Sequence, residues 1–191
     1  EFFGEYTPEH NDRLKFISKF SGSYGFALIL RDKNYLFVDG RYTLQAYNQS
    51  GRDFEIVTIP DKLPNNILKN KKLLIGFDPK LFTKKTISIF FSKSNCKLKP
   101  IKQNLVDIIW KRKIVKNKNK FYCLPNNSVE NYKSKINKVV SYLKKVGADF
   151  QFITACENNA WLLNIRGKDA RYAPIPNSYI LINKNKKIIF F

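Results

Sequence analysis

The stretch Phe26-Ala27-Leu28-Ile29-Leu30-Arg31-Asp32-Lys33-Asn34-Tyr35-Leu36-Phe37-Val38-Asp39-Gly40-Arg41-Tyr42 decides the fold class. Each of its two apolar runs predicts a strand, and Asp32-Lys33-Asn34 supplies a turn between them, which makes a hairpin. Asp39-Gly40 ends the second strand. Tyr42 to Ser50 then reads as a helix stopped at Gly51. Strand, strand and helix in this order announce an α/β architecture.

Reading outward, the alternation continues on both sides. Before the hairpin, Asp12 to Phe20 predicts a short helix with Leu14, Phe16, Ile17 and Phe20 on its inner side. After it, Phe54 to Ile59 alternates like a strand and Pro64 to Asn70 predicts a short helix. Leu73 to Phe77 predicts a buried strand, Phe82 to Ser94 a helix, Lys97 to Ile101 a strand and Leu105 to Trp110 a short amphipathic helix. The basic stretch Lys111 to Lys120 is the linker candidate. Beyond it Ser128 is placed to cap a helix whose apolar positions run from Val129 to Val146, with Gly147 as its stop. A strand over Phe150 to Thr154, a helix over Asn158 to Asn164 and a hairpin closing around Asn183 to Lys186 follow. The expectation is two similar α/β units, residues 1–113 and 114–191, with the second cut off before its end.

Composition bounds the partners. The chain has 191 residues, 43% of them hydrophobic, with 16 Phe and 10 Tyr, enough for a true core and against general disorder. No apolar run approaches the roughly 18 residues of a membrane helix, so no membrane is expected. The N-terminus is acidic and carries no signal-peptide pattern, and with no Met anywhere the chain reads as part of a longer frame. The formal net charge is +20, but the excess is nearly all Lys, spread along the chain and accompanied by Asn, Ile and Phe. Solvated faces account for that pattern as well as a polyanion site does, so nucleic acid is an unfavoured partner. Three separated cysteines, Cys96, Cys123 and Cys156, form neither a disulfide framework nor a zinc pattern, and they fit a reducing cytoplasm.

Catalytic constellations are missing from the sequence. His10 is the one histidine and has no evident orienting partner. Ser21-Gly22-Ser23-Tyr24-Gly25 precedes a strand, where a tight turn explains it better than a phosphate cradle. Asp39, Asp78 and Asp107 fall at strand ends and helix starts, where capping is the ordinary role. Arg41 stands out, because a cation in the first turn of a helix opposes the macrodipole. Two readings stay open on the residues alone: local neutralisation by Asp39, or a fork that clamps a carboxylate or carbonyl. In Asn164-Ile165-Arg166-Gly167-Lys168-Asp169, Gly167 is expected to stop the helix and Arg166 to pair with Asp169.

The motifs taken in order resemble the N-terminal half of the three-domain Xaa-Pro aminopeptidases (aminopeptidase P). Glu5-Tyr6-Thr7-Pro8 with Asp12-Arg13-Leu14 and Phe20-Ser21-Gly22-Ser23 is similar to that family's opening motif. Val38-Asp39-Gly40-Arg41-Tyr42 with Gln45-Ala46 is similar to its TDGRY-x-x-QA segment. Gly76-Phe77-Asp78-Pro79, Asn104 to Trp110, Gly147-Ala148-Asp149, Thr154-Ala155 and Ala160 to Asp169 continue the match, and Ser178-Tyr179 closes it. Tyr24 and Cys156 to Asn159 depart from the family pattern.

The resemblance implies two creatinase/prolidase N-terminal-type domains, each a mixed β-sheet flanked by helices, the second truncated. It also implies that the catalytic domain lies downstream. There two divalent metal ions, usually manganese and held by two Asp, one His and two Glu, activate a water that attacks the Xaa-Pro amide. This chain would then hold no cofactor and no catalytic residue, be inactive alone, and help shape and gate the substrate site. Its partners would be peptides with proline at position two and a second copy of the enzyme, through the catalytic domain. The one residue carried over with a role is Arg41, as a substrate-binding residue, while Trp110 and Trp161 are assigned to packing. The alternatives are an inactive creatinase-like module that binds peptide or protein, and a nucleic-acid binder.

Overall fold

The computed structural model describes residues 7–112, 119–125, 130–170 and 172–191. The sequence readings on Glu5-Tyr6, on Lys113 to Lys118 and on Ser128-Val129 lie outside these residues. The fold divides into two compact units, Glu9–Ile114 and Val115–Phe191.

In the first unit a single turn of 3-10 helix, Glu9–Asn11, leads into α1 (Arg13–Ser18). The predicted hairpin is β1 (Gly25–Ile29) and β2 (Asn34–Asp39), antiparallel with Ala27 opposite Leu36. α2 (Thr43–Ser50) then crosses over to β3 (Glu55–Ile59), which runs parallel to β2 with Asp39 opposite Ile59. The continuous apolar run in β2 has a simple cause: this central strand is covered on both faces. Leu36 and Val38 pack with Phe20, Ala46 and Phe54 on one side. Tyr35 and Phe37 pack with Leu28, Val57 and Leu68 on the other. Full burial of a side chain such as Phe37 contributes about 2–3 kcal/mol.

α3 (Pro64–Leu68) and α4 (Lys84–Phe91) flank a second, two-stranded parallel sheet, β4 (Leu74–Phe77) with β5 (Lys97–Pro100). β4 is not the buried strand the apolar run suggests. Leu74 is mostly exposed, because β4 pairs only with β5 among the described residues. α5 (Leu105–Ile109) closes the unit. Its cap is Asn104, whose side chain accepts from the Val106 amide, so Asp107 is not needed for capping. Asp107 instead receives Arg13 in a bidentate pair, both contacts at 2.9 Å across 94 positions of sequence. Arg112 adds a contact at 3.2 Å. These cations hold the Asp107 carboxyl below the usual carboxylate range, the Arg13 hydrogen bond contributing most. Trp110 stacks on Phe16 at 4.9 Å, which bears out its packing role.

In the second unit, α6 (Tyr132–Lys145) starts on Asn131, which accepts from the Lys133 amide. It ends as predicted at Gly147, in the left-handed region at φ +70. Ala148 N–H bonds to Leu143 O and Gly147 N–H to Lys144 O, a Schellman closure. β7 (Phe150–Ile153), β9 (Ile180–Asn183) and β10 (Ile188–Phe190) form an antiparallel sheet in the order β10-β9-β7. Ile180 and Ile182 bury against Ile136, Val140 and Leu162 of α6 and α7 (Cys156–Leu163). A two-residue ladder, β6 (Tyr122–Cys123) with β8 (Ile165–Arg166), has no counterpart in the sequence reading.

Candidate functional site

The Asp39-Gly40-Arg41-Tyr42 turn lies at the carboxyl ends of the parallel strands β2 and β3, where open α/β sheets ordinarily bind ligands. Asp39 is still extended, at φ −63 and ψ 148, and Gly40–Tyr42 forms a turn of 3-10 helix that runs into α2. One carboxylate oxygen organises the turn. Asp39 Oδ1 accepts from the Arg41 backbone N–H at 3.0 Å and from Arg41 Nε at 2.8 Å. These two hydrogen bonds, the side-chain one first, hold the Asp39 carboxyl below its ordinary range. The neutralising pair expected from the sequence is therefore formed, and the Arg41 side chain remains 74% exposed.

The guanidinium carbon lies 5.5 Å from the centroid of the Tyr42 ring. Tyr42 is itself anchored: its Oη is 2.8 Å from Ser23 Oγ, and its ring meets Phe20 edge-on at 5.9 Å. Thr43 Oγ1 bonds to Thr58 Oγ1 at 3.0 Å and ties the start of α2 to β3. At Gly40 a Cβ would meet only Thr58 Cγ2, at an ordinary 3.7 Å, so the turn does not require glycine for space.

The Ser21 to Gly25 loop is a bend into β1, as expected of a tight turn. Ser21 is pinned to α2: its N–H donates to Gln49 Oε1, and its Oγ accepts from Gln45 and Gln49. Tyr24, the departure from the family motif, is half exposed. His10 sits in the first 3-10 turn, where its carbonyl accepts from Arg112. Asp78 caps its own turn through the Lys80 amide. The Ser23–Tyr42 hydroxyl bond was missed by the sequence reading; its two ends lie in two separate motifs, 19 residues apart.

The second candidate segment is organised differently from expectation. Asn164, not Gly167, stops α7, in the left-handed region at φ 52. Arg166 donates to the carbonyls of Ile165 and Ala160 instead of pairing with Asp169, which accepts from the Asn177 amide. Gly167 is needed for close approach, since a Cβ would come within 2.7 Å of Pro176. Trp161, assigned to packing, is 55% exposed and packs over the buried Lys135 ammonium, 4.3 Å from its ring centroid. Among the described residues no three His, Cys, Asp or Glu side chains are grouped to hold a metal. Among them, too, no helix is long and apolar enough to cross a membrane.

Two family profiles, both described as Creatinase/Prolidase N-terminal domain, match residues 9–109 and 115–191. The chain belongs to the creatinase/prolidase N-terminal domain family. It is also related along its length to Xaa-Pro aminopeptidases. Identity to the "Probable Xaa-Pro aminopeptidase P" of Coprinopsis cinerea is 31%, over 100% of this chain and 32% of that protein. Identity to the Xaa-Pro aminopeptidase ApepP of Drosophila melanogaster is also 31%, over 97% and 32%. The crystal structure of X-prolyl aminopeptidase from Caenorhabditis elegans, a cytosolic enzyme with a di-nuclear active site, superposes with a TM-score of 0.85. That match has 28% identity and covers 98% of this chain and 32% of the other. The chain thus spans about a third of the length of these relatives, and the expected fold class holds.

Proposed function

We propose that these 191 residues are the N-terminal part of a metal-dependent Xaa-Pro aminopeptidase, which removes the N-terminal residue from peptides with proline at position two. The carrying observation is the likeness of almost the whole chain to the Caenorhabditis elegans enzyme at a TM-score of 0.85. In this reading the two units are successive domains, residues 1–113 and 114–191, that shape and gate the substrate site. The chemistry, with two divalent ions (manganese by the resemblance), belongs to the part beyond Phe191. The described residues offer no donor group for that pair, so no chemical step is assigned to them. A homodimer formed through the downstream part and a cytoplasmic location belong to the same reading.

Arg41 is the residue of this chain assigned to the peptide. Its support is the exposed guanidinium at the carboxyl ends of β2 and β3, together with the match of its motif. A planar fork of donors suits a peptide carbonyl or carboxylate.

The deciding experiment reads the frame beyond Phe191 and assays the full-length protein with manganese on a proline-second peptide. A downstream domain of about 250–300 residues with an Asp, Asp, His, Glu, Glu set and release of the first residue are expected. A frame that ends early, or lacks the ligand set, replaces the enzyme reading with a peptide- or protein-binding module.

A further inference from the structure

Resting on the assignment of Arg41 to the peptide, we propose that Asp39 and Tyr42 are positioning residues that hold the Arg41 guanidinium ready for it. An exposed arginine ordinarily samples many rotamers, and freezing them on binding costs affinity. Arg41 is restrained before any ligand arrives. Asp39 Oδ1 grips it at Nε, 2.8 Å away, and grips its backbone N–H with the same atom. The Tyr42 ring lies within cation–π distance on the guanidinium. Both holders are themselves fixed to the scaffold. Asp39 is the last residue of β2, in register with Ile59 of β3. Tyr42 is tied through its hydroxyl to Ser23 and braced on Phe20, which is 1% exposed.

This gives the Ser21 to Gly25 loop a purpose beyond entering a strand. Its Ser23 hydroxyl sets the tilt of the Tyr42 ring, and its Ser21 is locked to Gln45 and Gln49 on the helix that follows Arg41. Loop, turn and helix therefore form one connected support, and the guanidinium is its outermost group.

A purely structural role for Asp39 as cap is separable from positioning. Serine caps as well as aspartate but is too short to reach Nε. In the full-length enzyme, assayed on a tripeptide with proline second, Asp39→Ser is expected to raise KM about 5- to 10-fold, with kcat within twofold and the melting temperature unchanged. Arg41→Ala should raise KM at least as much, and the double variant should match Arg41→Ala alone. Asp39→Asn, which keeps size and an acceptor, should fall between Asp39→Ser and the parent, and it serves if the serine variant does not fold. A parental KM in Asp39→Ser beside a raised KM in Arg41→Ala overturns the positioning role and leaves Arg41 in place. Additive effects in the double variant overturn it as well. A parental KM in Arg41→Ala removes Arg41 from the peptide site, and the positioning role goes with it.

Discussion

Two cations, one in each unit, sit at opposite ends of helices. Lys135 of α6 reaches the carboxyl end of α7, where its ammonium donates to Trp161 O at 2.7 Å and Asn164 Oδ1 at 2.6 Å. It is 2% exposed, and the end of a helix dipole that attracts cations faces it. Arg41 stands just before α2, at the end that repels cations, and is mostly in solvent. The buried cation replaces its lost hydration with carbonyl oxygens and an aromatic ring, so it is part of the fold. The exposed one adds little to stability; the Asp39 carboxylate grips its Nε and its guanidinium lies on the Tyr42 ring.

Several substitutions in the full-length protein would break or sharpen this contrast. The largest effect belongs to Lys135→Met. It leaves two acceptors around a buried position without their donor and should cost about 3 kcal/mol, read as a lower denaturant midpoint. A midpoint equal to the parent's would place Lys135 with the surface lysines.

Next comes Arg13→Ala, which removes both hydrogen bonds of the bidentate pair, leaves the part-buried Asp107 with its longer Arg112 contact, and should cost about 2 kcal/mol. The same pair sets a pH dependence. The folded carboxyl of Asp107 titrates below its unfolded value. Its stabilising contribution is therefore complete above about pH 4 and is lost as the pH falls through the folded value. Acid unfolding curves of the parent and Asp107→Asn should converge at low pH and separate above it. A constant separation would show that the pair does not carry the titration.

Gly167→Ala forces a Cβ to within 2.7 Å of Pro176 and should cost about 1–2 kcal/mol by thermal unfolding. The smallest stability effect is that of Arg41→Ala, with a melting temperature within about 2 °C of the parent. A larger fall would make Arg41 a structural residue like Lys135 and erase the contrast.

Much of this was legible in the chain. The apolar runs of β1 and β2 announce a hairpin because a central strand must be hydrophobic on both faces. Gly147 announces the end of α6 because a left-handed closure favours glycine. Arg41 was legible as an oddity, a cation placed against a dipole, and the neighbouring Asp39 announced the pair. Less was legible where the deciding contact is distant. Asp107 reads as a cap and is an ion-pair partner of Arg13. Trp161 reads as a packing residue, and what it packs over is the Lys135 ammonium, with half its surface left exposed. Asn164 takes the stop that Gly167 seemed to own, because its side chain is claimed by Lys135 and by the Glu130 carbonyl.

The sequence by itself determined the α/β alternation, the principal helix and strand segments, the family and the exceptional position of Arg41. All of these depend on patterns within a few residues: periodicity, turn chemistry and local charge. Only the tertiary structure decided which charges are buried, what Asp107 and Lys135 hold together, and that the Ser23 loop braces Tyr42. Those depend on contacts between residues 19 to 94 positions apart, and no local pattern encodes which distant atoms will meet.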